Sequence, residues 1–448
     1  MFLEQATPST APELQAVILA GYGNRQSCSS VLRLYPLTDG GAVPKALLPV
    51  ANRPFISYQL EWLENANIQD IIIAAYPDAR QKISGFVQKM YEGSGVAKIQ
   101  IVEVPDHCGS ADALRSIKSK IKTDFIVISC DLVTDIPAHY LINSFRLQNP
   151  AMTAFFYDAA SLEASAERPA SKDDSQVEYV GIDDKTSRLM ITASKAELED
   201  DLDLRVSMVS KFPVIHLHSQ LRDAHLYIFR RWVLELIAKN KNITSIKNDL
   251  VPLLLECQHR DSVVKREGID KLLAANTDPF RAAMLLSTSG HETHDNTVVC
   301  NAVVYLEGFT ARGNTIWSYS ELNRHMVKMH PDERIPGSAE VSPKTQVGQD
   351  SLVGEGTKID ERCSIKKSVI GNHCKIGSNV KITNSIIMDY AHVEDGSKLE
   401  ECVVCPGAKI GAKSQLKDCK VGAQKILEAE TVGKNETYAD YLSDEESA

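Results

Sequence analysis

A glycine-rich segment near the amino end carries the residue types of a phosphate-binding loop. Gly21, Gly23 and Arg25 follow the apolar run 14–20, which has the composition of a buried strand. Backbone N–H groups of such a loop can cradle phosphates, and an arginine can stabilise the oxygens of a transferring phosphoryl group. The segment predicts a nucleotide site, although a G-x-G pattern alone is common.

Further motifs follow in a defined order along the chain. Y-P-L-T ends at Thr38, P-K-A-L-L-P-V holds Lys45, G-S-A-D-A-L starts at Gly109, and Asp131 follows Cys130. In this order the motifs resemble the sugar-nucleotide pyrophosphorylases, in which a Gly-Asp pair binds magnesium. The resemblance implies a Rossmann-like nucleotidyltransferase domain, and here a vestigial nucleotide cleft formed by Gly21, Gly23, Arg25, Lys45, Gly109 and Asp131.

Several positions depart from the pyrophosphorylase pattern. Ten residues separate Arg25 from Pro36, an insertion that should splay the phosphate loop, and Ala46 replaces the proline after the signature lysine. The sugar-contacting E-K-P motif is absent, since the comparable stretch 193–196 reads A-S-K-A. His225 stands where the family has the glycine of N-x-G, which would place an imidazole ring in the space of the sugar.

Two carboxylates remain as possible metal ligands, Asp131 and Asp249. Asp131 fits equally well as a strand-end carboxylate that accepts hydrogen bonds from local N–H groups. Taken with the departures, the sequence predicts no catalytic residue, no metal site and no cofactor. The alternative is an active sugar-nucleotide pyrophosphorylase.

Apolar strands alternate with helical segments in the first half of the chain. This alternation predicts a parallel sheet with helices on both faces and right-handed crossovers. The predicted strands are 14–20, 70–75, 98–104, 125–130 and 226–229, and the predicted helices are 55–67, 80–91, 110–121, 231–239 and 246–257.

A repeat of mostly six residues, closed by a five, begins near residue 341. Two sixes and a five make a period of 17 residues, and glycine often follows the aliphatic anchor. A stack of such triangular coils buries corners that a single coil cannot bury. The repeat therefore predicts a parallel β-helix, left-handed by resemblance to hexapeptide-repeat proteins. Its anchors are Val341, Val347, Val353, Ile359, Ile365, Ile370, Ile376, Ile382, Ile387, Val393, Leu399, Val404, Ile410, Leu416 and Val421.

Hexapeptide β-helices also occur in acyltransferases, which use a histidine as general base. His373 and His392 lie in the repeat, but as solvated turn residues they do not require that function. A third possibility is a regulatory protein that senses a sugar nucleotide without turning it over. Cys402 and Cys405 form one C-x-x-C, and no second pair completes a zinc site.

Composition limits the partners and the compartment. The chain has 49 basic and 59 acidic residues, a net charge of −10, which disfavours sequence-independent binding of nucleic acid. Ten scattered cysteines, many in apolar runs, indicate free thiols in a reducing compartment. The amino end lacks a signal pattern, and no apolar run is long enough for a membrane helix. We expect a cytosolic protein that binds no membrane.

Several longer segments resemble one family, the gamma subunits of eukaryotic translation initiation factor 2B. The likeness extends from about residue 14 to 425, and D-A-H-L-Y at 223–227 replaces a substrate motif with this family's own sequence. The insertion at 26–35 departs from the family. The segments that carry the likeness are 124–135, 223–227, 243–252, 311–323 and 365–371.

The resemblance implies a subunit of a guanine nucleotide exchange factor. Gamma pairs with epsilon, other subunits complete the complex, and initiation factor 2 is the substrate. Because the chain ends soon after the repeat, without the helical exchange domain of epsilon, we expect gamma. Trp317 and Tyr319 are candidates for interface or interdomain packing. The expected regions are a flexible arm 1–13, a nucleotidyltransferase-like domain 14–290, a connecting segment 291–335, a left-handed β-helix 336–425 and an acidic flexible tail 426–448.

Overall fold

The structure, a computed structural model, describes most of the chain in two compact units. Of the residues that the structure describes, the first unit contains those up to Gly21, those of 58–158 and those of 177–310, and the second contains those of 34–57 and those of 311–439. Gly23, Arg25, most of the predicted arm and the last residues of the predicted tail lie outside the described residues. Those described are 13–21, 34–38, 43–89, 91, 97–106, 108–158, 177–196, 198, 202, 204–275, 298–329 and 334–439.

The regular elements up to residue 329 confirm most of the predicted strands and helices. The strands are β1 (Leu14–Ala20), β2 (Pro49–Val50), β3 (Arg53–Pro54), β4 (Asp70–Ala75), β5 (Lys98–Glu103), β6 (Asp124–Ser129), β7 (Leu132–Thr134), β8 (Met152–Asp158), β9 (Glu178–Asp183), β10 (Leu189–Ser194), β11 (Ile215–His218), β12 (Leu221–Phe229), β13 (Cys300–Tyr305) and β14 (Thr310–Arg312). The helices are α1 (Phe55–Asn65), α2 (Pro77–Lys89), α3 (Ser110–Ser116), α4 (Ala138–Gln148), α5 (Val206–Lys211), α6 (Arg231–Lys239), α7 (Val251–Cys257), α8 (Asp261–Glu267), α9 (Ile269–Ala275) and α10 (Ile316–Met329).

A seven-stranded sheet with the order β13-β8-β12-β6-β1-β4-β5 forms the centre of the first unit. Strand β1 is parallel to both neighbours, so that Ile18 pairs with Ile73 of β4 and Ile128 of β6. The sheet is mixed, which corrects the expectation of a parallel sheet, because β12 runs antiparallel to β6 and β8. The fully buried rings of Phe125 and Phe229 pack 5.7 Å apart across this antiparallel pair.

Two predicted helices differ from the structure for local reasons. The predicted helix 110–121 stops at Ser116 and gives way to turns, where the Lys120 N–H donates to the Ile117 carbonyl. The predicted helix 246–257 begins as a π-helical turn, Ile246–Leu250, because Ser245 caps it and Pro252 follows inside the first turn of α7. Proline lacks the N–H that a longer helix needs.

The second unit contains the predicted parallel β-helix, confirmed by three stacked sheets of six short strands. All the predicted anchors lie on its strands, and neighbouring coils pair in register, as Ile365 does with Ile382. The strands are β15 (Glu340–Val341), β16 (Gln346–Val347), β17 (Leu352–Val353), β18 (Lys358–Ile359), β19 (Ser364–Lys366), β20 (Val369–Ile370), β21 (Lys375–Ile376), β22 (Lys381–Thr383), β23 (Ile386–Ile387), β24 (His392–Val393), β25 (Lys398–Glu400), β26 (Val403–Val404), β27 (Lys409–Ile410), β28 (Gln415–Lys417), β29 (Lys420–Val421), β30 (Ile426–Leu427), β31 (Val432–Lys434) and β32 (Thr437–Tyr438).

The β-helix continues to Tyr438, so the predicted boundary at 425 is too early. In the last coil the anchor position opposite Leu416 is Gly433, which interrupts the aliphatic pattern. A side chain at Gly433 would overlap with the hydroxyl of Tyr438. The tyrosine thus occupies the space that an aliphatic anchor fills in the other coils.

The segment 43–57 belongs to the second unit, whereas the sequence predicts one continuous first domain over residues 14–290. The hydroxyl of Tyr319 on α10 donates to the Pro49 carbonyl, and the Ala51 N–H donates to Asn323 Oδ1 at 2.9 Å. The side chain of Asn52 donates to the Ile370 carbonyl of β20 at 2.8 Å. Tyr319 is fully buried, and its ring centroid lies 6.1 Å from that of Phe55. Its packing is therefore internal to the second unit, while Trp317 beside it is half-buried.

No helix in the described ranges has both the length and the apolar character needed to cross a membrane.

Candidate functional site

The carboxyl ends of β1, β4 and β6 bring part of the predicted nucleotide cleft together. Gly21 follows β1 and Asp131 follows β6, and the Cys130 N–H donates to the Leu19 carbonyl at 3.3 Å. This edge of an open α/β sheet is where ligands usually bind. Gly23 and Arg25, the remainder of the predicted phosphate loop, lie outside the described residues.

Tyr76 fills space at this edge, and the sequence analysis did not single it out. A Cβ atom on Gly21 would lie 3.2 Å from the Tyr76 ring, and the Tyr76 hydroxyl donates to the Cys108 carbonyl at 3.1 Å. The ring therefore connects the end of β1 with the residue before Gly109. The sequence offers a weak signal for this contact, a tyrosine directly after the strand 70–75.

Asp131 is fully buried and already hydrogen-bonded. Ser129 Oγ donates to its Oδ1 at 2.5 Å. The hydroxyl of Ser129, two residues earlier in the chain, thus holds this carboxylate. In the part of the chain that the structure describes, no three His, Cys, Asp or Glu side chains converge as a metal site requires.

Asp249, the second possible metal ligand, is engaged by its own loop. Its Oδ2 accepts hydrogen bonds from the Thr244 N–H at 2.8 Å, from the Thr244 hydroxyl at 2.9 Å and from the Ser245 N–H at 2.8 Å. Burial acts to raise the pKa of Asp249, but the hydrogen bonds from Ser245 and Thr244 outweigh burial and lower it below the ordinary value. The carboxylate therefore caps a turn.

The same loop closes directly on Gly109. The Ala111 N–H donates to the Thr244 carbonyl at 2.9 Å, and Ser110 Oγ accepts from the Ile246 N–H at 2.8 Å. A Cβ atom on Gly109 would overlap with the Thr244 carbonyl oxygen. The glycine at this position is explained by the close approach of two backbones, without any phosphate.

A largely buried cluster of charged groups lies around residues 223–225, the positions compared with the N-x-G motif of the pyrophosphorylases. The Asp223 N–H donates to Glu178 Oε2 at 3.2 Å, the Tyr227 hydroxyl donates to Asp223 Oδ2, and Lys247 forms an ion pair with Glu178. Burial, with a smaller contribution from the charge of Glu178, raises the pKa of Asp223 to about 6. Every described polar group of this cluster has a partner within the chain.

His225 occupies a left-handed backbone position. Its φ is +51°, at a bulge where β12 shifts register against β8 between Asp223 and Tyr227. Glycine adopts this conformation without cost, whereas a residue with a Cβ atom is strained there. The imidazole lies 6.3 Å from the Tyr227 ring, centroid to centroid. The residue thus keeps the backbone geometry suited to the glycine of N-x-G while adding a ring.

Lys45, the signature lysine, is described within the second unit. It is 7% exposed, and its Nζ donates to Asn314 Oδ1 at 2.8 Å. Ala46, which stands in place of the signature proline, is buried beside it. The lysine has a specific partner in the chain, so its retention requires no pyrophosphate.

The two histidines of the repeat occupy ordinary positions on the β-helix. His373 is exposed in a turn with φ +55°, and its ring stacks on that of Tyr390 at 5.3 Å. His392 faces outward on β24, in register between Lys375 and Lys409. Cys402 and Cys405 are buried free thiols. These placements match turn, face and core residues of a β-helix.

Comparisons with known proteins agree with this two-part layout. Residues 15–166 match the nucleotidyl transferase family model, and residues 336–433 match the model of the left-handed β-helix (LbH) domain of the eIF2B epsilon subunit. The second match gives the handedness predicted for the helix.

Similarity to individual proteins extends over most of the chain. Translation initiation factor eIF2B subunit gamma of Schizosaccharomyces pombe is 37% identical over 357 residues, which are 79% of this chain and 74% of that protein. The gamma subunit of Dictyostelium discoideum is 29% identical over 80% of this chain and 88% of its own length. The epsilon subunit of the same organism is 25% identical over 75% of this chain and 45% of its own length. This chain therefore belongs to the family of eIF2B gamma subunits.

Proposed function

We propose that this chain is a non-catalytic subunit of the translation initiation factor 2B complex, which pairs with the epsilon subunit and supports exchange of GDP for GTP on initiation factor 2. The observation that carries the proposal is the similarity to gamma subunits over 79% of the chain, across both units. We propose that the chain acts in the cytosol, as translation factors do.

The contacts of the former cleft support the non-catalytic part of the proposal. A pyrophosphorylase needs carboxylates that are open to magnesium and a lysine that is open to the departing pyrophosphate. Here Asp131 is fully buried, Asp249 caps a turn and Lys45 is bound to Asn314. A ligand that displaces the donor of Asp131 or the acceptor of Lys45 would leave a partner in the chain unsatisfied, which costs roughly 1–3 kcal/mol when that partner is buried.

The likeness to epsilon supports the pairing. The epsilon subunit of Dictyostelium is similar to 75% of this chain, and the family model that matches the β-helix is that of an epsilon subunit. Two chains with the same folds can associate about a pseudo-twofold axis, since each offers the other an equivalent surface. A permanent pair of this kind buries on the order of 2,000 Å² or more.

The pairing is tested by co-expressing this chain with epsilon and measuring the mass of the purified product by light scattering. We expect a stable heterodimer that survives dilution. Two separate monomers would contradict the proposal.

The alternative activity is tested by incubating the purified chain with GTP or UTP, magnesium and hexose 1-phosphates, and by measuring released pyrophosphate. We expect no release above that of the blank. Turnover that disappears in Asp131→Asn would establish the active pyrophosphorylase instead, because the substitution keeps the shape of the side chain and removes its charge.

A further inference from the structure

A short basic segment stands out in an acidic chain. Residues 115–122 read R-S-I-K-S-K-I-K and contain four cationic side chains but no carboxylate, whereas the whole chain has a net charge of −10. The segment covers the end of α3 and the turns that lead to β6. Such a run is usually solvated and without a specific function, so a site requires geometry as well as charge.

The segment lies at the amino ends of the parallel strands, opposite to the former nucleotide cleft. The Lys122 N–H donates to the side-chain carbonyl of Gln15 on β1 at 2.6 Å, and Gln15 Nε2 donates to Asp70 of β4 at 3.3 Å. Strand β6 separates this edge from Asp131, and six strand residues extend for about 17 Å. The segment is therefore distinct from the edge where the nucleotidyltransferase fold places its substrates.

A concavity of about 610 Å³ opens beside this segment. Among the described residues its lining contains four cations, two hydroxyls, one apolar side chain, that of Ile121, and no carboxylate. The polar lining residues are Arg115, Ser116, Lys118, Ser119, Lys122 and Arg231.

The surrounding protein fully engages one of the four cations, Arg115, and compensates the other three in part or not at all. Arg115 is fully engaged, since it pairs with Asp112 and donates to the carbonyls of Ile237, Asn240 and Ile243. Lys118 and Lys122 form no ion pair with any described residue.

Arg231, at the start of α6, adds a guanidinium group to the lining of the concavity. Its Nη1 is buried and has no hydrogen-bond partner among the described residues, since the carboxylate of Glu235 lies 3.6 Å away, too far for a hydrogen bond. Because this nitrogen is inaccessible, it is the exposed part of the side chain, 27% of its surface, that brings positive charge to the concavity. The Arg231 backbone N–H is held by Asp124 at 2.8 Å, which fixes the start of α6 beside the concavity.

We propose that this concavity binds a small phosphate-bearing anion of about the size of pyrophosphate or triphosphate. Lys118, Lys122 and the exposed part of Arg231 supply positive charge, and the Ser119 hydroxyl adds a hydrogen bond. Charge-assisted hydrogen bonds of this kind are the strong ones in proteins. None of the described lining residues is aromatic, so the site offers phosphate oxygens several cations but offers a base no ring on which to stack. The net negative charge of the chain disfavours long polyanions, which sense the whole field.

Isothermal titration of the purified full chain with pyrophosphate, in low salt and without metal, tests this site. We expect saturable binding by the wild type, and an affinity lowered by roughly tenfold or more in Lys118→Glu/Lys122→Glu, since two attractive charges become repulsive. The matched control is Lys185→Glu/Lys211→Glu, which reverses two exposed lysines elsewhere on the first unit and should leave the affinity unchanged. Added salt should weaken binding.

Two further arms separate the source of the phosphate and the role of Arg231. GTP should bind no more tightly than tripolyphosphate, and both should lose affinity in Lys118→Glu/Lys122→Glu. Arg231→Ala removes this cation and should weaken binding several-fold, whereas Arg231→Lys keeps the charge and should retain most of the affinity; the melting temperature of each ligand-free variant shows whether the fold is intact. Absence of saturable wild-type binding, or an equal loss in the control variant, overturns the proposal.

Discussion

The β-helix has a complete repeating pattern of core residues, whereas the carboxyl edge of the first unit's sheet has only some of the pyrophosphorylase motif residues. In the β-helix nearly every coil places an aliphatic side chain at each inward position, and neighbouring anchors are stacked in register. At the sheet edge the motif residues are retained in part, but Asp131 and Asp249 are hydrogen-bonded by their own loops, and Gly109 lies against the Thr244 carbonyl. Every coil of the β-helix must bury the same kind of side chain, whereas a nucleotide site requires one particular arrangement of a few residues. The residues that remain at the edge are those with a structural partner.

The largest effect should come from removing one β-helix anchor. Ile382 is fully buried between Ile365 and Leu399, so Ile382→Ala leaves a cavity that the rigid stack cannot fill. We expect a loss of about 2–5 kcal/mol in the free energy of unfolding. Urea unfolding followed by circular dichroism measures it. The neighbouring Lys381→Ala, which faces solvent, should change stability by less than about 0.5 kcal/mol; equal losses would mean that the stack is not the source of stability.

The cluster of charged groups around residues 223–225 should show a dependence on pH. The pKa of Asp223 is raised from 3.8 to about 6, so the folded state binds more protons than the unfolded state between these values. Stability from this group is therefore present at low pH and is lost as pH rises through 6, by up to about 3 kcal/mol.

Asp223→Asn removes this titration while retaining a hydrogen-bond acceptor for Tyr227. Its stability relative to the wild type should rise between pH 4 and pH 6 and then level off. Urea unfolding of both proteins across that range provides the measurement. A difference that stays constant with pH would show that Asp223 is charged throughout and that the network of Glu178 and Lys247 fully compensates it.

Substitution of Gly109 tests whether this glycine is required for backbone packing rather than for binding phosphate. In Gly109→Ala the new Cβ atom overlaps with the Thr244 carbonyl oxygen, and neither backbone can move freely. We expect a destabilisation of about 1–3 kcal/mol. Gly85 on α2 is the matched control, because a Cβ atom there meets no other atom within 4 Å. Gly85→Ala should stabilise by roughly 0.5–1 kcal/mol, and a melting curve of each variant decides.

The smallest effect should come from His225. Because its φ is +51°, His225→Gly should be more stable than His225→Ala by about 1 kcal/mol, although glycine loses more entropy on folding. Both variants remove the ring, so their difference isolates the backbone conformation. Equal melting temperatures would show that the left-handed position carries no strain.

The sequence predicted the β-helix well because each coil repeats the same local requirement. The predicted end of the β-helix is too early, because in the last coil Gly433 replaces the aliphatic anchor and the side chain of Tyr438 fills the space beside it. The sheet edge was harder to predict. The contact between Gly109 and Thr244 joins residues far apart in sequence. It involves a backbone carbonyl, which every residue has, so no sequence motif indicates it. The bond between Lys45 and Asn314 has the same property, and it also explains why 43–57 belongs with the second unit.

The most direct test of the central claim is the rate of labelled GDP release from purified initiation factor 2, measured with epsilon alone, with this chain alone and with both together. The account predicts that this chain is inert alone and that the pair releases GDP faster than epsilon does, with the same acceleration by the Asp131→Asn variant. Equal rates with and without this chain would contradict its proposed function as a supporting subunit of the exchange factor.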